Sequence, residues 1–151
     1  MFLRSLPVLV AAAACVAAEQ PPSPHGGGDS GYAALVRDAR SRIRQISVPQ
    51  YAQRRQSGEA LILVDVREES EWKAGHAKDA LHLSRGILDR DIERRVPDKN
   101  AVIVLYCGSG SRSALAADSL QKLGYSNVYS LEGGFGAYRR AGLPVEQPLT
   151  R

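Results

Sequence analysis

Short apolar runs alternate with segments of helical periodicity along most of this chain. Residues 102–106 are an unbroken apolar run, and residues 61–66 are apolar except for Asp65. Both segments are rich in β-branched side chains and short enough to be strands covered on both faces of a sheet. Apolar side chains recur at helical spacing over residues 86–95 and 113–123. This alternation of strands and helices predicts an α/β fold built on a parallel sheet.

The same pattern predicts the remaining elements of the domain. Residues 32–45 have the pattern of a surface helix, with Leu35, Ala39 and Ile43 on its inner face. Further elements are predicted as follows: a helix capped by Ser47 that ends before Gly58, a helix over 68–74, strands near 80–83 and over 127–131, and a helix over 135–141 after the Gly133-Gly134 turn. Asp65, Cys107 and Gly133 then fall at the carboxyl ends of strands, where open parallel sheets bind ligands.

The N-terminal residues have a different pattern. Arg4 precedes an apolar stretch of small residues, 6–18, that is too short to span a bilayer. We expect residues 1–18 to be a signal peptide; the alternative is a lipoprotein signal cleaved before Cys15, which would then carry a lipid anchor and provide the only membrane attachment. Residues 19–31, rich in proline and glycine, are expected to form a flexible leader, and residues 32–151 the domain. The predicted location is the bacterial periplasm or envelope.

Charge and histidine placement exclude some functional classes. The chain carries a formal charge of +4. Without residues 1–18, it contains nineteen basic and sixteen acidic residues. No dense basic run with interleaved aromatic residues is present, so nucleic acid is not expected as a partner. His25, His76 and His82 lack the spacing to cysteine or acidic residues that metal sites need, so neither a metal nor another cofactor is expected.

The main candidate for chemistry is a cysteine between a predicted strand and a predicted helix. The chain contains only Cys15 and Cys107, and either cleavage leaves Cys107 without an intramolecular partner. Amides at a helix N-terminus favour anions and lower the pKa of a thiol placed there. We therefore predict that Cys107 is a nucleophilic thiolate beside a cradle for a small oxyanion, formed by the residues that follow it: Gly108, Ser109, Gly110, Ser111 and Arg112.

Two nucleotide-binding interpretations fail at this glycine-containing loop. A phosphate-binding loop of nucleotide hydrolases ends in Gly-Lys followed by serine or threonine, and the loop here contains no lysine. A dinucleotide fingerprint requires glycine at position 113, where this chain has serine.

Five ordered motifs resemble those of the rhodanese-like sulfurtransferases in their single-domain form, over roughly residues 46–144. The motifs are Leu63-Val64-Asp65-Val66-Arg67, Glu71-Trp72 with Gly75-His76, Ile103-Val104-Leu105-Tyr106-Cys107, the loop that ends at Arg112, and Leu131-Glu132-Gly133-Gly134. The resemblance implies a central parallel sheet of about five strands flanked by helices. Four residues separate Cys107 from Arg112; the related phosphatases have a loop one residue longer, so the length is typical of the sulfur-handling members.

The resemblance also implies a reaction. Cys107 would take the outer sulfur of thiosulfate or a similar small anionic donor, hold it as a persulfide among residues 108–112, and pass it to cyanide or a thiol, including a protein thiol. Arg112 either binds the donor or braces the loop, and Asp65 and Arg67 would fix the loops around the site. Two alternatives remain open: a noncatalytic rhodanese-like module that binds a partner or carries sulfur, and a thiol redox protein.

Two further positions have roles that the resemblance suggests. His76 is expected to be structural rather than a general base, because a thiolate that its cradle has already ionised needs no base. Phe135 stands where relatives often carry a tryptophan, a change that would alter the wall of the pocket without affecting the reaction.

Overall fold

The computed structural model describes residues 30–147. The helices are α1 (Gly31–Arg42), α2 (Val48–Gln56), α3 (Glu69–Lys73), α4 (Arg85–Arg95), α5 (Ser111–Lys122) and α6 (Gly134–Arg140). The strands are β1 (Arg44–Ile46), β2 (Leu61–Asp65), β3 (His76–Ala77), β4 (Leu81–His82), β5 (Val102–Tyr106), β6 (Asn127–Leu131) and β7 (Val145–Glu146). The predicted signal peptide, Cys15 and most of the predicted leader lie outside the described residues.

Five of the strands form one parallel sheet in the order β1-β6-β5-β2-β4. Strand β5 is central, and its residues pair along their whole length with Leu61–Asp65 of β2. The short strands β3 and β7 form a separate antiparallel pair. The predicted α/β fold with a central parallel sheet of five strands flanked by helices is therefore confirmed.

The core lies on both faces of the sheet because successive side chains of a strand point in opposite directions. On β5, Ile103 and Leu105 pack into one apolar cluster, together with Ile92 and Leu120 of the helices on that face. Val104 and Tyr106 pack into the other cluster, on the opposite face. Cys107 belongs to the first cluster, so it continues the face that α5 covers.

Helix α1 packs against α5 in a manner that differs from the prediction. Its buried residues are Val36 and Ala39, whereas Leu35, predicted to face inward, is 61% exposed. Both sets fit helical spacing, and the position of α5 decides between them. Arg42 fixes the contact by donating to both carboxylate oxygens of Asp118 in α5, at 3.0 and 3.1 Å.

The termini of several elements also differ from the predictions. Helix α1 begins at Gly31, capped by Ser30, and ends at Arg42, so the predicted helix over 32–45 was wrong in its last residues, of which Arg44 and Gln45 belong to β1. Strand β1 pairs with β6, which lies far along the chain, and the hydrophobic pattern of residues 32–45 gives no sign of this pairing. In residues 30–147, no helix is long and apolar enough to cross a membrane.

Candidate active site

Cys107 follows β5 directly and lies at the bottom of the loop that leads into α5. Its side chain is buried, with 1% of the residue exposed. The sulfur accepts a hydrogen bond from the amide of Gly110 at 3.1 Å, and the Ser113 hydroxyl lies 3.7 Å from it. Gly110 has a φ of +101°, a left-handed conformation that glycine adopts with little strain. The chain thus turns back within three residues and directs an amide at the sulfur.

Burial and hydrogen bonding act in opposite directions on the Cys107 thiol. Burial raises its pKa, because it removes water from around the thiolate. Hydrogen bonds from the amide and hydroxyl of Ser113 and from the amides of Gly110 and Ser109 outweigh burial, so the pKa of Cys107 falls below its ordinary value. The N-terminus of α5 adds the positive end of a twelve-residue helix. The site therefore stabilises the thiolate, the form that attacks sulfur, relative to an ordinary cysteine.

A second serine, Ser130, extends the hydrogen bonding around the sulfur through its contact with Ser113. The hydroxyls of Ser113 and Ser130 lie 2.9 Å apart, and both side chains are buried. If Ser113 donates to the thiolate, it must accept from Ser130, so the two hydroxyls form a chain that ends at Cys107. Ser130 lies on β6 beside Leu105 of β5. Nothing local in the sequence marks Ser130 as part of the site, because only strand pairing brings it there.

The Gly133-Gly134 turn holds the opposite side of the loop. The Phe135 amide donates to the Cys107 carbonyl at 2.7 Å, and the Gly136 amide donates to the Gly108 carbonyl at 3.2 Å. A Cβ at Gly134 would lie 2.3 Å from the Cys107 carbonyl oxygen. Only glycine permits this close approach, and the turn thereby draws the loop's carbonyl groups toward α6.

Arg112 lies in the first turn of α5, which begins at Ser111, two residues before the predicted start. Its guanidinium donates to both oxygens of Glu71 at 2.6 and 2.8 Å. The hydrogen bonds from Arg112 lower the pKa of Glu71 to about 2, and the same contact raises the pKa of Arg112. Glu71 also accepts from the Glu68 amide at 3.1 Å. Of the two roles predicted for Arg112, the structure displays a bracing contact, made with a carboxylate whose part in the site was not predicted.

Asp65 and Arg67 form a buried pair beside the site. Arg67 donates to Asp65 through its backbone amide and its guanidinium, and also to the Gly75 carbonyl at 2.8 Å. The Tyr106 hydroxyl donates to Asp65 at 2.6 Å and accepts from the Ala77 amide at 3.1 Å. The pair thus ties the end of β2 to β5 and to the segment before β3.

The aromatic and histidine side chains near α3 form a stack. The rings of Trp72 and His76 lie 3.4 Å apart, and His82 lies 4.8 Å from Trp72. His76 makes a hydrogen bond to the Trp72 carbonyl at 3.1 Å, which supports a structural role. Phe135 lies under the Arg67 guanidinium at 4.1 Å. Within residues 30–147 no group of three or more histidine, cysteine, aspartate or glutamate side chains has the arrangement of a metal site.

The relatives found by comparison with known proteins agree with one another. Residues 47–141 match the family described as the rhodanese-like domain. The thiosulfate sulfurtransferase GlpE of Vibrio cholerae is 37% identical over 84 residues, which are 56% of this chain and 77% of that protein. A sulfurtransferase of Allochromatium vinosum is 34% identical over 106 residues, 70% of this chain and 97% of that protein.

A solved structure agrees with these sequence relatives. The polysulfide-sulfur transferase homodimer of Wolinella succinogenes matches with a TM-score of 0.66 at 28% identity. The match covers 77% of this chain and 87% of the other.

Proposed function

The chain belongs to the rhodanese-like domain family, and from this membership we propose that it moves sulfane sulfur from a small anionic donor to a thiophilic acceptor through a persulfide on Cys107. The relatives support sulfurtransferase activity in general. The observation that carries the proposal is the hydrogen bond from the Gly110 amide to the buried Cys107 sulfur at 3.1 Å. A buried thiol whose pKa oriented amides lower has the chemistry that a covalent sulfur carrier needs.

In the loading step, the Cys107 thiolate attacks the outer sulfur of a donor such as thiosulfate. A bond forms between the two sulfurs, the bond within thiosulfate breaks, and sulfite leaves with the electron pair. The products are a cysteine persulfide anion and sulfite, so charge is conserved. The mechanism invokes no general base, because the hydrogen bonds that lower the pKa of Cys107 already favour the attacking thiolate.

In the transfer step, cyanide or a thiolate attacks the outer sulfur of the persulfide. The persulfide bond breaks, its electron pair returns to Cys107, and the acceptor leaves as thiocyanate or as a new persulfide. Between the two steps, we expect the backbone amides of residues 108–111 and the hydroxyls of Ser109 and Ser111 to hold the persulfide anion. Oriented backbone dipoles in a site shielded from water stabilise such an anion more strongly than water-exposed groups do.

One observation favours a second candidate function, the binding or sulfur-carrying module without turnover of a free donor. Both terminal nitrogens of the Arg112 guanidinium already donate to Glu71, and this carboxylate neutralises the charge that an incoming anion would meet. A module of this kind would receive sulfur from a protein persulfide. The mass measurement described below separates the two functions.

The cellular location is also a proposal. Residues 6–18 support export, with cleavage after residue 18 or before Cys15, and the protein would then act in the bacterial periplasm or envelope. The mass of the mature protein purified from its host tests this directly. A lipid-modified Cys15 would show anchoring, a chain that begins at Glu19 would show soluble export, and an unprocessed Met1 would contradict export.

The experiment that tests the reaction is intact mass spectrometry of the purified, reduced protein before and after incubation with excess thiosulfate. We expect the mass of one sulfur atom to be added to the wild type and not to the Cys107→Ser variant. Cyanide should then remove that mass and release thiocyanate. A folded wild type with a free thiol that gains no sulfur would contradict the proposal and favour the module without turnover.

A further inference from the structure

Two arginines from outside the cysteine loop lie against glycines that shape it. The guanidinium of Arg40 in α1 is 3.8 Å from the position that a Cβ on Gly110 would occupy. The guanidinium of Arg140 in α6 is 3.3 Å from the corresponding position on Gly136. Gly110 donates its amide to the Cys107 sulfur, and Gly136 donates its amide to the Gly108 carbonyl. Both guanidinium groups are therefore neighbours of the loop backbone.

These contacts place positive charge near the reacting sulfur. Gly110 joins Arg40 to the sulfur through the 3.8 Å contact and the 3.1 Å hydrogen bond, so the guanidinium charge of Arg40 lies within roughly 10 Å of the sulfur. This distance is about one Debye length at 0.1 M salt. The Arg140 guanidinium lies against Gly136, whose amide donates to the carbonyl of Gly108, the residue that follows Cys107. At such distances salt screens the charge only in part, so both arginines contribute to the potential that an approaching anion meets.

Within the part of the chain that the structure describes, Arg40 and Arg140 have no carboxylate partner, unlike Arg112 and Arg67. Arg112 is paired with Glu71, and Arg67 is paired with Asp65. Among residues 30–147, neither Arg40 nor Arg140 makes an ion pair. Their charges are therefore available to a ligand.

The two sides of the loop consequently differ in charge. On the α3 side, Glu71 neutralises Arg112, and Glu68 adds a second carboxylate that acts on this arginine. On the α6 side, an open surface groove of about 340 Å³ is lined by Gly136, Arg139 and Arg140. The nearest acid along the chain on that side is the exposed Glu132, one residue before the Gly133-Gly134 turn.

We propose that Arg40 and Arg140, with Arg139 beside them, form the subsite that attracts the charged end of an anionic sulfur donor to Cys107. The inference rests on the proposed function for the identity of the reaction, and it adds the residues that select a charged donor. Arg40 lies in α1, which precedes the region that matches the family, so the family resemblance does not predict its part in the site.

The experiment compares how fast Cys107 reacts with neutral iodoacetamide and with anionic iodoacetate. In both reactions the thiolate displaces iodide, so the ratio of the two rates reports the potential at the sulfur and cancels changes in the thiol pKa. We expect Arg40→Gln and Arg140→Gln each to lower the iodoacetate-to-iodoacetamide ratio about threefold at low salt, as expected for loss of one charge at this distance. The difference should shrink at high salt.

Arg95→Gln is the matched control. Arg95 is an exposed arginine in the last turn of α4. This helix runs from the end of β4 back toward the start of β5, so Arg95 lies at the end of the sheet opposite to Cys107. This variant removes the same charge from the protein and should leave the ratio at the wild-type value. An equal change in all three variants would show an effect of net charge alone and would overturn the subsite.

A second measurement separates this inference from the proposed function. The KM for thiosulfate should rise in Arg40→Gln and Arg140→Gln, while the rate of persulfide transfer to an uncharged phosphine, which leaves as the phosphine sulfide, stays the same. An altered alkylation ratio in a protein that never accepts sulfur would uphold the anion subsite and contradict the sulfur transfer. Unaltered alkylation and thiosulfate kinetics, with slower transfer to an acidic thiol protein, would overturn the subsite and indicate a docking surface instead.

Discussion

Two carboxylate–arginine pairs flank the cysteine loop, and they differ mainly in burial. The Asp65 and Arg67 side chains are 0% and 6% exposed, whereas the Glu71 and Arg112 side chains are 35% and 32% exposed. Both arginines donate from two guanidinium nitrogens to their partner carboxylates. The same chemical pairing therefore occurs once inside the fold and once at the mouth of the site.

The difference in burial gives the two pairs different roles. Separating Asp65 from Arg67 would leave a charge in the interior without water, at a cost of several kcal/mol. Separating Glu71 from Arg112 exposes both groups to water and costs about 1 kcal/mol or less. The inner pair is consequently a fixed support for the loops, while the outer pair is able to open when an anion competes for Arg112.

The largest expected effect comes from breaking the inner pair. Asp65→Asn should lower the free energy of unfolding by about 3–5 kcal/mol, because the buried Arg67 guanidinium loses its counter-charge. Urea denaturation measures this change. The control is Asp89→Asn, which breaks an exposed helical pair with Arg85 and should cost less than about 0.5 kcal/mol. A loss below about 1 kcal/mol for Asp65→Asn would show that the two pairs do not differ as burial indicates.

Breaking the outer pair should instead change activity. Glu71→Gln removes an anion beside Arg112, so the guanidinium becomes available to the donor, and we expect the KM for thiosulfate to fall about threefold. Steady-state kinetics with varied thiosulfate measure this effect. Glu69→Gln on the same helix is the control, since Glu69 pairs with Lys73 rather than with the loop. A KM that rises in Glu71→Gln would show that Arg112 needs Glu71 to be correctly oriented.

The smallest expected effect is the pH dependence of stability that comes from the outer pair. The pKa of Glu71 is lowered in the folded protein to about 2 from an ordinary value of 4.5. The folded state thus binds the Glu71 proton less tightly than the unfolded state does. The stabilisation from this pair is therefore present above pH 4.5 and is lost as the pH falls toward 2. Urea denaturation of wild type and Glu71→Gln should differ by at most about 1 kcal/mol at pH 6 and converge near pH 2. A difference that persists at pH 2 would contradict an ionic origin.

The parts of the fold that could be predicted are those whose signal is local. Runs 61–66 and 102–106 contain β2 and β5, because a strand buried on both faces needs consecutive apolar residues. The helix that follows Cys107 was recognisable from its periodicity, with an error of two residues at its start. Strand β1 was missed because its three residues form a strand only by pairing with β6, far along the chain.

The candidate site divides in the same way. Cys107 and the glycines beside it were identifiable, since a cysteine between a buried strand and a helix has a defined geometry whatever surrounds it. Glu71 belonged to a recognised motif, but its contact with Arg112 spans 41 positions and was not predicted. Ser130 and Arg40 gave no signal at all, because ordinary serines on strands and arginines on surface helices have the same sequence context.

The sequence by itself determined the alternation of strands and helices, the thiol at the end of β5 and the family to which the chain belongs. These properties depend on neighbouring residues, whose hydrophobic pattern and backbone preferences act over a few positions. Only the tertiary structure decided which arginine is neutralised, which remains available and which hydroxyls reach the sulfur. Charge pairing and hydrogen bonding depend on distances of a few ångströms between residues far apart in the chain, and packing sets those distances.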